Sequence, residues 1–284
     1  MRKWAYALTA MAAVLVVGCG TTSGVSNSAP SNPLKTGVTP VAIKLQQQNI
    51  ALTVLPGGRL GSDGKMHDTF TTPNFTVVQG VPVNLSVYNY DGGEHSITNS
   101  ALHLNLVAKG SPKNGVPAVT TARFTAAKAG KYVWQCTKAC DGQNGGWAMT
   151  HMGYMKGTIT VVPYANRQYI DAMIKDSLHY AAADKKLHDS YSPASFTVQE
   201  GIPVQMTVEN FDTGNHSLTD PALGLNKVFK GASKVGVPSV TTFTFTPKQV
   251  GRTTWRCVIP CDGQNNGWAM SHNGYMMGTM TVTP

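Results

Sequence analysis

Charged residues and long apolar runs are both scarce in this sequence. Only 13% of the 284 residues are charged, whereas 29 are glycine and 16 are proline. A composition of this kind is typical of sheets and turns rather than of helical bundles. Beyond an N-terminal apolar segment, no stretch is long enough to cross a bilayer as a helix. The length allows roughly two domains of about 100–150 residues each.

Clustered positive charge is also lacking, although the formal net charge is +9. Lysine and arginine are scattered and do not alternate with aromatic residues, so we expect no nucleic-acid partner. A basic surface of this kind fits attraction to anionic lipid, to a wall polymer or to an acidic redox partner. It fits equally well a basic surface that has no specific partner.

A targeting segment begins the chain. Arg2 and Lys3 precede an apolar run, Ala5–Val17, that is too short for a comfortable membrane span and is followed by Gly18 and Cys19. This ending resembles a bacterial lipobox, which implies cleavage before Cys19 and a lipid on its sulfur. An ordinary signal peptide with a chance cysteine is the alternative. We therefore predict an extracytoplasmic protein, lipid-anchored to a bacterial membrane on the outer face of the cytoplasmic membrane or facing the periplasm.

An internal repeat organises the rest of the chain. Lys65–Pro163 aligns without a gap to Lys186–Pro284, and just over half of the aligned positions are identical. Within each repeat, short segments that alternate apolar and polar residues are separated by turns, which predicts a mainly antiparallel β-sandwich. Residues 41–64 are expected to add a strand to the first sandwich.

A helix is predicted between the two repeats. Ile170, Ile174 and Leu178 recur every four residues, as on one face of a helix. The predicted organisation is a signal peptide (1–18), a flexible tether (19–40), domain 1 (41–163), a helical connector (164–188) and domain 2 (189–284).

Each repeat carries the same five soft potential ligands at a constant offset of 121 residues. They are His95, Cys136, Cys140, His151 and Met155 in the first repeat and His216, Cys257, Cys261, His272 and Met276 in the second. Thiolate, imidazole and thioether together form the ligand set that most favours copper. A disulfide within each cysteine pair is the alternative in an exported protein. It leaves the neighbouring histidines and methionines unexplained.

The ligand spacing resembles that of the cupredoxin family, and more narrowly the copper-A domain of cytochrome oxidase subunit II and of nitrous-oxide reductase. The resemblance covers each repeat from about Phe75 and Phe196 to its end. Its motifs are Asn89-x-Asp91-x3-His95-Ser96 with Gly130-x-Tyr132-x3-Cys136-x3-Cys140, and Asn210-x-Asp212-x3-His216-Ser217 with Gly251-x5-Cys257-x3-Cys261. It implies an all-β fold of two tandem Greek-key sandwiches.

The resemblance also implies a binuclear copper site in each repeat. The two cysteines would bridge two coppers, the two histidines would be terminal ligands, and the methionine would be a weak ligand. The backbone carbonyls of Lys138 and Ile259 would complete the two sets. The resemblance further implies electron transfer to a redox protein or respiratory complex, with the chain as a possible electron-entry subunit of a cytochrome c oxidase-type complex rather than an enzyme alone.

Departures from the copper-A pattern keep a single-copper site open. Ten residues separate Cys140 from His151, and three separate His151 from Met155, both longer gaps than in the family. The second repeat also resembles single-copper cupredoxins, in which one cysteine, two histidines and an axial methionine bind one copper. Copper storage or delivery without a redox partner is a further alternative.

Several repeated residues near the ligands are expected to have structural roles. His67 and His188 are interpreted as solvated or capping residues, and Trp147 and Trp268 as loop packing. For Asp141 and Asp262, a hydrogen bond to a ligand histidine and a turn-stabilising role are both open.

Overall fold

The computed structural model describes residues 43–284. The predicted signal peptide, Cys19 and the tether lie outside these described residues. Within them, no helix is long and apolar enough to cross a membrane.

The described chain is built almost entirely from strands. They are β1 (Gln48–Leu60), β2 (Met66–Phe70), β3 (Asn74–Val78), β4 (Val83–Asn89), β5 (His95–Asn99), β6 (Leu104–Ala108), β7 (Ala118–Phe124), β8 (Gly130–Gln135), β9 (Lys156–Val162), β10 (Gln168–Ala181), β11 (Lys186–Ser192), β12 (Ser195–Gln199), β13 (Val204–Asn210), β14 (His216–Asp220), β15 (Leu225–Phe229), β16 (Ser239–Phe245), β17 (Gly251–Arg256) and β18 (Met277–Thr283). One short α-helix, α1 (Trp147–Thr150), and 3-10 turns at Ser100–Leu102, Gly142–Asn144, Pro221–Leu223, Gly263–Asn265 and Trp268–Ser271 interrupt the loops.

Each repeat forms a sandwich of one four-stranded and one five-stranded sheet. In the first repeat the strand orders are β2-β1-β4-β7 and β3-β9-β8-β5-β6, and the second repeat has the same two orders with every strand number raised by nine. Most neighbours are antiparallel, but β1 pairs with β4 and β3 pairs with β9 in parallel. The predicted all-β fold of two tandem sandwiches is confirmed, and the predicted extra strand of the first sandwich is β1.

The predicted connecting helix is wrong, because Gln168–Ala181 form the strand β10. Ile170 and Ile174 pack in the core of the second sandwich, whereas Met173 and Leu178 pack in a separate cluster. Both faces of β10 are therefore apolar, and its sequence lacks the alternation of a half-buried strand. A recurrence every four residues fits a strand with a period of two as well as it fits a helix.

Each sandwich encloses its own core, and the ligand loop closes one end of it. The first core is centred on Trp134, which is fully buried and donates its indole N–H to the carbonyl of Pro73 at 2.8 Å. Cys136, Cys140 and Met155 belong to the same apolar cluster. The potential ligands thus lie at the edge of a close-packed interior, which restricts their movement.

The two repeats contact each other through reciprocal backbone hydrogen bonds. Leu60 N–H donates to the carbonyl of Gly236 at 2.9 Å, and Tyr180 N–H donates to the carbonyl of Gly115 at 2.8 Å. A Cβ atom on Gly115 would lie 2.3 Å from Leu187. Glycine is therefore required for this close approach, and both glycines also have positive φ angles, which glycine adopts at little cost.

Side chains reinforce this contact between the repeats. Arg59 forms an ion pair of 2.7 Å with Glu209, and both side chains are mostly buried. The hydroxyl of Thr53 donates to the hydroxyl of Ser192 at 2.8 Å. An apolar cluster with members from both repeats lies here, formed by Leu55, Tyr90, Met173, Leu178 and Phe211.

Candidate metal centre

The topology brings the ligand-bearing segments together at one end of each sandwich. His95 is the first residue of β5, and Cys136 directly follows β8, which pairs with β5. Met155 directly precedes β9, the other neighbour of β8. The backbone N–H of Cys136 donates to the carbonyl of Met155 at 2.8 Å, so pairing of β8 with β9 continues into the ligand loop.

Three side chains of the first repeat converge to form a buried group that could hold a metal ion: His95, Cys136 and Cys140. The two Sγ atoms are 2.8 Å apart, and Nδ1 of His95 lies 3.1 Å from Sγ of Cys140. Both cysteines are free thiols. The backbone N–H of Ser96 donates to Sγ of Cys136 at 3.3 Å, and the Lys138 carbonyl lies 3.2 Å from Sγ of Cys140.

The second repeat forms the same group from His216, Cys257 and Cys261. The backbone N–H of Ser217 donates to Sγ of Cys257 at 3.2 Å, and the carbonyl of Ile259 lies 3.3 Å from that sulfur. Nδ1 of His216 is buried and has no hydrogen-bond partner among the described residues. A buried imidazole nitrogen that lies beside two thiols and has no hydrogen-bond partner fits the role of a metal ligand.

Hydrogen bonds within the first group couple the protonation of its three side chains. The hydrogen bond from the Cys140 thiol outweighs burial and lowers the pKa of Cys136 to about 4. Sharing that hydrogen bond raises the pKa of Cys140. Burial opposes the charged form of His95, but interactions with Asp91 and Cys136 raise its pKa to about 9. Cys136 is therefore the side chain of the three that most readily provides the thiolate form that binds metal. A bound metal ion would displace the protons of Cys140 and His95.

In each group, a carboxylate is hydrogen-bonded to the histidine nitrogen that does not face the sulfurs. Oδ2 of Asp91 lies 2.7 Å from Nε2 of His95, and Oδ2 of Asp212 lies 2.7 Å from Nε2 of His216. The hydrogen bond to the histidine lowers the pKa of each carboxyl, although burial opposes this. Such a bond fixes the ring so that Nδ1 faces the sulfurs. Asp91 and Asp212 both belong to the quoted sequence motifs, whereas the hydrogen bond to a ligand histidine is considered there for Asp141 and Asp262.

The structure does not place His151 in the ligand group of the first repeat. His151 is exposed, its Nδ1 lies 2.7 Å from the carbonyl oxygen of Trp147, and its ring stacks on the indole of Trp147 at 3.6 Å. His272 and Trp268 repeat this arrangement at 3.5 Å. The long gap that follows the second cysteine is used to build α1 or its 3-10 counterpart, and this holds the imidazole at the surface.

The interpretation of His67 and His188 as solvated or capping residues is wrong. Both are fully buried, with their rings stacked on Trp147 and Trp268 at 4.1 and 4.2 Å. Nδ1 of His67 lies 2.7 Å from Oδ2 of Asp141, whose other contacts include the backbone N–H of Ala148. Asp141 therefore holds the loop through His67 and not through a ligand histidine.

The remaining predicted ligands lie beside the three-residue groups. Met155 and Met276 are fully buried in the same apolar clusters as the cysteines. The carbonyls of Lys138 and Ile259 face the sulfurs at the distances given above. Of the six predicted donors in each repeat, the histidine of the long loop is the one that the structure leaves at the surface.

A pocket of about 640 Å³ adjoins the first group and includes His95 and Cys140 in its lining. Asp68, Asp91 and Glu94 also line it. Because carboxylates raise the local concentration of cations, this pocket offers a metal ion a route to the thiols.

Comparisons with known proteins add only a general likeness. No protein-family model and no curated protein sequence matches this chain. Among solved structures, it is similar to a copper nitrite reductase from Nitrosomonas europaea (15% identity, TM-score 0.31, covering 84% of this chain and 94% of that one). It is also similar to a blue copper oxidase from the same organism (12%, 0.29, 84% and 86%), and to the metal-binding domain of the Streptococcus pneumoniae D39 Cu(I)-exporting P-type ATPase CopA (18%, 0.29, 43% and 90%). TM-scores near 0.3 indicate only a general likeness of fold.

Proposed function

We propose that this protein is an electron carrier that holds copper in each of its two sandwiches. The observation that carries the proposal is the group of two cysteines and one histidine that both repeats form, fully buried in the first and buried except for Cys261 in the second. Soft thiolates combined with imidazole favour copper over other metals available to proteins. Bound copper supplies a one-electron couple between Cu(I) and Cu(II).

The protein residues hold the ligands in place and keep water away. His95, Cys136 and Met155 are at most 3% exposed, and the close-packed core behind them limits their movement. Asp91 fixes the imidazole, and the backbone N–H of Ser96 donates to a sulfur. Ligands that cannot rearrange keep the geometry similar in both oxidation states, and outer hydrogen bonds of this kind tune a metal site.

We infer that each repeat would hold one copper ion through the three grouped side chains, with Met155 or Met276 as a further ligand. The observation behind this count is the surface position of His151 and His272, which leaves one imidazole per group. The binuclear copper-A-like arrangement is the second candidate. The carbonyls of Lys138 and Ile259 beside the sulfurs favour it, and it requires the long loop to deliver its histidine.

Copper content and electron paramagnetic resonance test the count. We expect about one copper per repeat and the hyperfine pattern of a single copper nucleus. His151→Ala and His272→Ala are expected to leave both results unchanged, with Met149→Leu as a control in the same loop. Two coppers per repeat with a delocalised mixed-valence signal, lost in the two histidine variants, would establish the binuclear site.

Electron transfer is distinguished from storage by the visible spectrum and by redox cycling. A carrier shows a copper–thiolate absorption band that bleaches on reduction and returns on oxidation. A protein that only stores Cu(I) is colourless and does not cycle. We propose a redox protein or a respiratory complex as the partner, since the ligand motifs of each repeat resemble those of the domain that receives electrons in such complexes.

We also propose that the mature protein is anchored outside the cytoplasm by lipid on Cys19. The support is the apolar run that ends at this cysteine and the polar segment that follows it. Each buried CH₂ of a lipid chain contributes roughly 0.8 kcal/mol to membrane binding. Cys19→Ala is expected to move the protein from the membrane to the soluble fraction without a change in copper content. Retention on membranes after a high-salt wash would contradict the proposal.

A further inference from the structure

Asp171 in β10 is a buried acidic residue without a partner. It is 6% exposed, and its Oδ2 has no hydrogen-bond partner among the described residues. None of the ion pairs in the described part of the chain includes it. Because a buried carboxylate without a partner is costly, its presence calls for an explanation.

The neighbouring charges do not neutralise Asp171. Glu209 is the nearby charge that acts on it, and this second carboxylate disfavours the ionised form of Asp171. Arg59, the cation in this region, is bonded to Glu209 at 2.7 Å. A cation bound beside Asp171 would favour its ionised form, which burial and Glu209 otherwise disfavour.

The fold does not require an acidic residue at this position. Ala51 of β1 occupies the position in the first repeat that Asp171 occupies in the second. In parallel pairs of matching register, Ala51 lies opposite Ser86 and Asp171 lies opposite Thr207. The first sandwich forms the same strand pair with a methyl group, so the carboxyl of Asp171 is an addition to the shared architecture.

Asp171 lines a cavity of about 180 Å³ between the two sandwiches. This volume is several times what one water molecule needs. Ser86 and Tyr88 of the first repeat and Ser195 and Thr197 of the second also line it. The hydroxyls of these residues are oxygen donors from both sides, and Asp171 is the acidic residue among the lining side chains.

We propose that this cavity binds a small cation, with the carboxylate of Asp171 as its counter-charge and hydroxyl oxygens from both repeats as further ligands. Carboxylate and hydroxyl oxygens suit a hard metal ion such as Ca²⁺ or Mg²⁺. They suit a small primary ammonium ion equally, because its N–H groups donate to the same oxygens. Bound there, the cation contacts both sandwiches and stabilises their contact. The site contains neither thiol nor imidazole and is independent of the proposed copper chemistry.

Calorimetric titration of the copper-loaded full chain tests the proposal. CaCl₂, MgCl₂ and methylammonium chloride are added separately at constant ionic strength, and thermal unfolding is recorded at each concentration. We expect saturable binding of one cation per chain, accompanied by a rise in the unfolding temperature. The salt that binds identifies the source of the positive charge.

Asp171→Asn keeps the size of the side chain and removes its charge, and we expect it to abolish the binding and the thermal shift. Asp176→Asn changes an exposed carboxylate of the same strand and is expected to retain both. Absence of saturable binding of all three cations to the wild-type chain would overturn the proposal. Equal binding by wild type and Asp171→Asn would overturn it as well. Copper content and the visible band are unaffected by either result, so a failure here is separate from a failure of the proposed function.

Discussion

The two groups that could hold a metal ion contain the same residue types, but the residues around them differ. Lys138 lies between the cysteines of the first group and forms an ion pair of 3.0 Å with Glu94. The corresponding residues of the second group are Ile259 and Asn215. Since the side chains of Lys138 and Glu94 are 37% and 55% exposed, their pair adds little stability. It does give the first group a charged rim, whereas the rim of the second is uncharged at these positions.

A second difference lies in the core beneath the ligands. Phe70 of the first repeat is replaced by Tyr191 in the second, and the hydroxyl of Tyr191 donates to the carbonyl of Ser217 at 2.9 Å. The N–H of Ser217 in turn donates to Sγ of Cys257. The two repeats thus share the candidate ligands and differ in the residues around them. We therefore expect two centres of similar ligand chemistry and different reduction potential.

Removal of one thiol is expected to have the largest effect, and it tests whether the two copper centres are independent of each other. Cys136→Ser is expected to abolish the copper–thiolate band of the first centre and to halve the copper content, because each repeat supplies its whole ligand group. Cys257→Ser is the matched variant and should remove the other half. Spectra of the two variants then give the separate bands. Loss of all copper in either variant would show that the centres are not self-contained.

Removal of the carboxylate behind one histidine has a smaller effect. Asp91→Ala is expected to weaken copper binding at the first centre by about 10–100-fold, as is typical when a partner of a ligand histidine is lost. Asp212→Ala should do the same at the second centre only. Competition with a copper chelator measures each affinity. Asp141→Ala is the control, and its copper affinity should change less because Asp141 contacts His67 instead of a ligand.

The contrast between Asp171 and Ala51 predicts a dependence of stability on pH. Burial, with the charge of Glu209, raises the pKa of Asp171 to about 8, compared with about 3.9 in an unfolded chain. The folded state therefore binds this proton more tightly. The stabilisation is complete below about pH 4 and is lost as the pH rises to about 8. Thermal unfolding of metal-depleted protein in this range should show a fall that is reduced in Asp171→Asn. A profile identical to wild type would contradict this assignment.

Exchange of the core aromatic residue has the smallest expected effect. Tyr191→Phe makes the second core resemble the first and removes the hydrogen bond to Ser217, at a cost of about 1 kcal/mol in the free energy of unfolding. Copper content should not change. Redox titration should show the potential of the second centre moving towards that of the first. An unchanged potential would assign the difference to the rim residues, and Lys138→Ile would then test them.

Much of this architecture could be predicted from the repeat, but the first strand of the second sandwich could not. Val54 and Ile174 occupy the same register position, opposite Asn89 and Asn210, yet they are 120 residues apart whereas the gapless repeat has an offset of 121. The second repeat therefore has one extra residue between β10 and β11. A gapless alignment of the two repeats stops at this point and does not extend back to β1 and β10. When β10 is not aligned with β1, the recurrence of its apolar residues every four positions predicts a helix.

The ligand group could be predicted only in part for a similar reason. The cysteines are four residues apart on one loop, and His95 starts a neighbouring strand, so their meeting follows from a sandwich topology. His151 lies at the end of an insertion whose path depends on stacking with Trp147 and on burial of His67. Spacing along the chain contains no information on such contacts between distant side chains.

The reciprocal hydrogen bonds accepted by Gly115 and Gly236 pair the two repeats in the way that the subunits of a homodimer are paired, although both repeats belong to one chain. The same surface of each sandwich contacts its counterpart, which is the pattern of a two-fold symmetric interface between identical subunits. A single repeat expressed alone would expose unpaired backbone groups and one side of an apolar cluster. We therefore expect such a fragment to self-associate, with a second copy occupying the place that the tandem chain gives to its other half.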